Sequence, residues 1–170
     1  MSAGTAVAPV QPNPQNQALV EQRVKLQARV RSSAGWLMAV ALFSVVNSAL
    51  GFFDAKLHFI VGLGVTQVVD GIGKVGGTAG SAAGFVVSLC MAGVFVIFWK
   101  FAREGRKWAF LSGMILYALD GLIFLGLGLW LDFGFHVFAI FNMYKGLSAL
   151  NELKQLNQQP AGFAGTAVTR

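Results

Sequence analysis

The stretch from Lys107 to Leu150 most constrains the fold, because two long apolar runs are separated there by only a short break. The first run, Lys107–Leu131, exceeds the roughly 20 residues that cross a hydrocarbon core of about 30 Å. The second, residues 134–150, is shorter and spans only marginally. Two such runs in succession predict a hairpin of transmembrane helices.

Each run of this hairpin carries one charged residue in its interior, Asp120 in the first and Lys145 in the second. An ionised Asp or Lys at the centre of a membrane helix costs about 2.5–3.5 kcal/mol. Antiparallel helices would bring the two charges to similar depth, so we expect Asp120 to pair with Lys145. The pair would fix the helix register or, in a competing hypothesis, line an ion or proton path. Asn47 and Asn142 are expected to add supporting hydrogen bonds.

Composition extends the membrane assignment to the whole chain. Hydrophobic residues make up 55% and charged residues only 12%, whereas soluble domains carry about 25% charged residues. The net charge of +6 comes from basic residues that cluster at the ends of apolar runs. There they act as topology signals and contact anionic lipids at the cytoplasmic face, rather than nucleic acid. We therefore expect an integral membrane protein.

Four regions follow from the pattern along the chain. Residues 1–18 and 159–170 are predicted to be disordered tails, because they are small, polar and contain proline. Residues 19–33 are predicted to form a basic juxtamembrane helix. Residues 34–158 are predicted to form the transmembrane bundle.

The predicted fold is an all-α bundle of four transmembrane helices. Two further spans, Trp36–Phe53 and Gly84–Ala102, precede the hairpin. The apolar part of residues 58–73 is short for a span and is predicted to be re-entrant or interfacial. A fifth span there would place one of the two strongest basic clusters outside. Four spans instead put both clusters and both termini on the cytoplasmic side.

The two predicted outer connections share the spacing Asp-x-x-x-His. Asp54 and His58 follow the first span, and Asp132 and His136 lie in the break of the hairpin. Residues four apart share a helix face, so the four side chains are a candidate zinc-type site or proton relay. The alternative is that each Asp caps a helix and each His is an interfacial residue.

No motif in the sequence indicates an enzyme. Gly71, Gly73 and Gly76 form a GxGxxG string, but it is followed by a membrane span rather than by the βαβ unit that the dinucleotide motif requires. Cys90 is the single cysteine and has no partner for a disulfide or a thiolate metal site. We expect no catalytic activity, no cofactor and no resident metal.

Three stretches, HFIVGLGVTQVVDGI, GRKWAFLSGMILYALDGLIFL and FHVFAIFNMYKGL, resemble small multi-pass bacterial membrane proteins. The likeness covers Gly35–Leu150 and excludes both tails. It implies a bacterial plasma (inner) membrane and supplies no activity, so no functional residue is carried over.

Two functional hypotheses follow. The first is a structural or accessory subunit, or an interaction partner, of a larger membrane assembly. The second is a small proton- or ion-coupled carrier that uses Asp120 and Lys145. Independently of the function, we expect either a protein partner or a homo-oligomer.

Overall fold

The computed structural model of the protein describes residues 13–52 and 63–158, and these residues form five α-helices without a strand. The all-α prediction is therefore confirmed for the described part of the chain. The helices are α1 (Pro14–Phe52), α2 (Gly64–Val75), α3 (Gly77–Arg103), α4 (Lys107–Gly126) and α5 (Trp130–Gln158).

Helix α1 joins the predicted juxtamembrane helix and the first span without interruption. It begins inside the segment that was predicted to be a disordered tail, so that boundary was wrong for residues 14–18. The reason is a local cap: the Asn13 Oδ1 atom accepts a hydrogen bond of 3.0 Å from the Gln15 N–H. Pro14 then occupies the first helical position, where its missing N–H costs nothing. The remaining tail residues, 1–12 and 159–170, lie outside the described part.

Helices α2 and α3 differ most from the sequence prediction. Residues 77–83, which precede the predicted span Gly84–Ala102, belong to α3, and the helical path is broken only between Val75 and Gly77. Small residues let α2 and α3 pack closely along this stretch. The two backbones contact each other at Gly73 and Gly80. A side chain on either glycine would collide with the other helix. The Ser88 hydroxyl adds a 3.0 Å hydrogen bond to the Asp70 carboxylate.

The turn between α4 and α5 also falls at a different place from the prediction. Helix α4 ends at Gly126 instead of Leu131, and α5 begins at Trp130 instead of residue 134. Gly128 adopts a φ of 73°, while the Leu129 N–H donates to the Phe124 carbonyl and the Gly128 N–H to the Leu125 carbonyl. This is the Schellman arrangement, which terminates a helix at a residue with positive φ.

We predict that Gly128→Ala destabilises the protein by about 1–2 kcal/mol, the cost of placing an L-residue in the left-handed region. A Cβ atom at Gly128 would meet nothing within 4 Å, so no steric term is added. Gly126→Ala is the matched control, because its Cβ atom would also be free but its φ is not in the left-handed region. Unfolding in detergent should separate the two variants, and equal midpoints would contradict the prediction.

Four of the helices form a closed ring in the order α1, α3, α4, α5, each antiparallel to its neighbours. Helix α2 packs mainly on α3, and its first turn reaches α1 and α4. We call the end of the ring that carries the α3–α4 turn the basic end, because most of the lysines and arginines lie there. The first turns of α1 and the last turns of α5 also lie at this end, where an Arg23 guanidinium N–H donates to the Leu156 carbonyl at 3.5 Å.

Three helical segments of the described residues are long and apolar enough to cross a membrane: Pro14–Leu50, Gly77–Arg103 and Lys107–Gly126. Helix α5 is long enough but is not among them, because polar residues interrupt its apolar character. The chain thus has the features of a small multi-pass membrane protein. The fourth span and the re-entrant segment stay predictions.

Candidate functional site

A buried acid and a buried histidine meet between α4 and α5. Asp120 lies seven residues before Leu127 and His136 seven residues after Leu129, so the α4–α5 turn brings them to the same level. The His136 Nε2 atom is 3.0 Å from the Asp120 Oδ2 atom, and both side chains are almost fully removed from the surface. We call the pair, together with the first turn of α2, the Asp–His junction.

The Asp120 carboxylate also binds the start of α2. The Gly64 N–H donates to Oδ2 at 2.7 Å, and the Val65 N–H donates to Oδ1 at 2.8 Å. The first N–H groups of any helix lack partners within that helix, and Leu63, at the cap position of α2, supplies no side-chain acceptor. Asp120 therefore caps a helix to which it does not belong, with its negative charge at the positive end of the helix dipole.

Helix α1 completes the same cap through Ser44. The Leu63 N–H donates to the Ser44 Oγ atom at 2.8 Å, and this hydroxyl donates in turn to the Val40 carbonyl at 2.8 Å. The Thr66 hydroxyl closes the turn with a 2.7 Å bond to the Leu63 carbonyl. Unpaired backbone groups are costly inside a membrane. Here the N–H group of the cap residue Leu63 and the first two N–H groups of α2 are paired through α1 and α4.

The partners of His136 determine where its protons lie. The Nδ1 atom is 2.8 Å from the Asp132 carbonyl oxygen, which can only accept, so Nδ1 carries a proton. The bond from Nε2 to Asp120 then contains one further proton. If this proton lies on nitrogen the pair is ionic, and if it lies on oxygen the pair is neutral. Either way the pair has no net charge, which removes most of the cost of burying Asp120.

Aromatic rings enclose His136. The Tyr117 ring stacks on the imidazole with centroids 4.0 Å apart and planes inclined by 20°, and the Phe124 ring lies at 5.0 Å. Gly121 lets the imidazole approach α4, because a Cβ atom at this position would lie only 3.1 Å from the His136 Cβ atom. The Tyr117 hydroxyl is buried and has no hydrogen-bond partner among the described residues. The His136 side chain is only 1% exposed, so the imidazole is shielded from water.

The expected pairing of Asp120 with Lys145 is wrong. Lys145 is exposed, and its Nζ atom lies 4.4 Å from the centroid of the Phe141 ring. The physical reason is register: α5 begins at Trp130, so His136 reaches the level of Asp120. Lys145 comes nine residues later, and at about 100° per residue it lies on the opposite face of the helix.

The other predicted site residues lie at separate positions in α1 and α5. Asn47 is buried in α1. The Asn142 amide donates to the Phe138 carbonyl in its own helix at 2.8 Å, so this bond does not join helices. Asp132 lies in the first turn of α5, where a carboxylate favours the helix dipole.

The four-residue Asp-x-x-x-His cluster is described only in part. Asp132 and His136 are both buried rather than exposed at an outer surface, while Asp54 and His58 lie outside the described residues. In residues 13–52 and 63–158 no three His, Cys, Asp or Glu side chains come together as a potential metal site.

Sequence reasoning identified Asp120 and His136 but assigned them to different clusters. It did not identify the role of Ser44 or of the α2 N–H groups. Backbone donors leave no signal in a sequence, and a serine in an apolar helix is common.

Comparison of the chain with protein-family models, with curated proteins and with solved structures finds no match. The functional interpretation therefore rests on the chemistry of the Asp–His junction and on the surfaces of the bundle. The bacterial setting implied by the sequence resemblance stays a prediction.

Proposed function

We propose that the protein is a structural or accessory subunit of a larger assembly in the bacterial plasma membrane, without catalytic activity of its own. The observation that carries the proposal is the use of Asp120. Both oxygens of this buried carboxylate are occupied, by two N–H groups of α2 and by His136 of α5. A carboxylate with this set of partners holds three helices together and is not free to bind a transported ion.

The proposal includes four spans, with α5 as the fourth. Helix α5 packs antiparallel to α4 from Gly121 against His136 to Phe110 against Gly146, so a membrane that surrounds α4 also surrounds α5. The charge of Asp120 is compensated within the bundle. Helix α2, whose first turn lies at the level of Ser44 and Asp120, is the re-entrant element. The positive-inside rule then puts the basic end and both termini in the cytoplasm.

Helix α3 provides the surface through which a partner would bind. Only 22% of an apolar stretch of 18 residues in α3 is buried within the bundle, compared with 44% for the corresponding stretch in each of the other two candidate spans. Exposed apolar residues of α3 include Val86, Val87 and Leu89.

The test is mild-detergent extraction of the full chain from native membranes, followed by sizing and mass spectrometry. We expect a stable complex with a larger partner that is lost in Val86→Trp and kept in Ile115→Trp. These residues are 58% and 59% exposed, on α3 and α4 respectively, which makes the two variants a matched pair. A chain that runs alone or as a small homo-oligomer would refute the accessory role.

A second candidate function, a small proton-coupled carrier, is favoured by one observation. The His136 imidazole and the Asp120 carboxyl group form a buried hydrogen bond of 3.0 Å inside the bundle, and intramembrane pairs of this kind occur along proton paths. Reconstituted protein would then move protons across liposomes, and Asp120→Asn would abolish the flux while the protein still inserts. Lys145→Gln should leave the flux unchanged, because Lys145 is exposed on the other face of α5.

A further inference from the structure

A cavity of about 190 Å³ opens at the basic end of the ring, between α1, the α3–α4 turn and α5. Its polar lining consists of Gln27 and Arg31 from α1 and Arg103 and Glu104 from the end of α3. Leu150 and Leu153 of α5 form an apolar wall. Water occupies about 30 Å³ per molecule in the liquid, so the cavity has room for a small polar group of several heavy atoms. The Asp–His junction plays no part in it.

The two guanidinium groups point to a phosphate. Arg binds phosphate oxygens through two parallel N–H donors, which makes it the preferred residue for such a group. The Arg103 guanidinium carbon lies 5.0 Å from the Trp99 ring centroid. Stacking on the indole uses the face of the guanidinium and leaves its N–H edges available. Arg31 reaches the same cavity from α1.

Gln27 and Glu104 indicate which substituent is attached to the phosphate. Glu104 is the one acidic side chain in the lining, so the lining as a whole has a charge of +1. Ionised Glu only accepts hydrogen bonds, and the Gln27 side-chain carbonyl also accepts. A phosphodiester without a donor group leaves these acceptors unused. A phosphodiester with a hydroxyl or ammonium substituent, in contrast, satisfies the arginines and Glu104 together.

The position of the cavity indicates that such a phosphodiester comes from a lipid. Trp99 and Trp108 lie at the same end of the ring, and their rings contact Arg103 and Phe101 respectively. Tryptophan is enriched at the level of lipid headgroups, and basic pockets between helices at this level bind anionic headgroups. The cavity thus lies at the end of the ring where the phosphate groups of lipids are expected.

We propose that this cavity binds the headgroup of a phospholipid whose phosphate contacts Arg31 and Arg103 and whose substituent donates a hydrogen bond to Glu104. Phosphatidylglycerol meets both conditions and matches the positive charge of the lining. Phosphatidylethanolamine meets the hydrogen-bond condition with a weaker charge match. Phosphatidylcholine has no donor and should bind least.

The experiment titrates the purified full chain in detergent with short-chain lipids and follows binding by native mass spectrometry. We expect one saturable site for phosphatidylglycerol, with weaker binding of phosphatidylethanolamine and then of phosphatidylcholine. The double variant Arg31→Gln/Arg103→Gln should weaken phosphatidylglycerol binding by about tenfold or more, since each arginine contributes a charge-assisted hydrogen bond. Glu104→Gln should reduce the preference for phosphatidylglycerol over phosphatidylcholine.

The matched control is Arg29→Gln/Arg106→Gln, which removes the same charge from two exposed arginines of the basic end that do not line the cavity. It should change the affinity by about twofold or less. Equal losses of affinity in the two double variants would mean that binding depends only on general surface charge, which would overturn the proposal. If equimolar glycerol phosphate or inorganic phosphate displaced the lipid, the site would be one for free phosphate compounds, and the proposal of a lipid site would be overturned.

Two further variants distinguish the loss of the binding site from misfolding of the protein. Arg31→Lys/Arg103→Lys keeps the charge but loses the two-donor geometry, so it should bind with intermediate affinity. Leu153→Phe narrows the cavity without a change in charge and should also weaken binding. Full affinity in Leu153→Phe, in protein of normal size and helicity, would show that the lipid binds elsewhere.

Discussion

Asp120→Ala should destabilise the bundle by about 3–5 kcal/mol, the range found when one partner of a buried charge pair is removed. The substitution leaves three groups without their hydrogen-bond partner at once: the Gly64 N–H, the Val65 N–H and the His136 Nε2 atom. Asp120→Asn should lose less, because its amide oxygen still accepts from one helix N–H and its amide nitrogen can donate to His136. Unfolding in detergent by chemical denaturant measures both losses.

Lys145→Ala is the control for this prediction, because it also removes one charge from the hairpin but from an exposed position. We expect it to change stability by about 0.5 kcal/mol or less. Amide hydrogen exchange adds a local readout: in Asp120→Ala the first turn of α2 should lose protection before the rest of the bundle. Equal effects of Asp120→Ala and Lys145→Ala would contradict the Asp–His junction and restore the pairing expected from sequence.

Gly146→Leu should be the most harmful substitution at a packing contact of α5. A Cβ atom at Gly146 would lie 3.0 Å from two ring atoms of Phe110 and would overlap with the Ser33 side chain. Helix α5 would then have to move away from α1 and α4 together. We expect a loss of about 3 kcal/mol, the upper part of the range for overpacked cores.

Gly134→Leu is the corresponding control in the same helix. A Cβ atom there would meet nothing within 4 Å, and leucine is the better helix former by up to about 1 kcal/mol. The control should therefore be neutral or stabilising when both variants are unfolded side by side. A Gly146→Leu protein as stable as the control would show that α5 does not pack against α1 and α4 in the described register.

Much of the helical architecture could be predicted because apolar runs have few alternatives in a chain this hydrophobic. The apolar runs Gly84–Ala102 and Lys107–Leu131 predicted helices that overlap α3 and α4, and the basic residues beside them marked one end of the bundle. The helix ends were harder, because Gly126, Gly128 and Gly134 are all plausible breaks. Only the backbone geometry at Gly128 selects among them, and it moves the start of α5 by four residues.

That shift explains why the site could be predicted only in part. The burial of Asp120 required a partner, and His136 and Lys145 lie on opposite faces of the same helix. A displacement of the turn changes which of them reaches Asp120. The cap of α2 had no sequence signal at all, since its acceptor is 56 residues away from Gly64. Contacts between distant residues depend on the packed fold and not on local pattern.

The 56 residues between Gly64 and Asp120 affect the order in which the helices can pack during synthesis. When α2 emerges during synthesis, α1 is already present, so Ser44 can receive the Leu63 N–H. Asp120 follows 56 residues after Gly64, about 3–11 s later at a translation rate of about 5–20 residues per second. Until then the Gly64 and Val65 N–H groups need water or lipid carbonyls as partners, which are found at the membrane surface. We therefore expect α2, although it is second in the sequence, to be among the last helices to reach its final position.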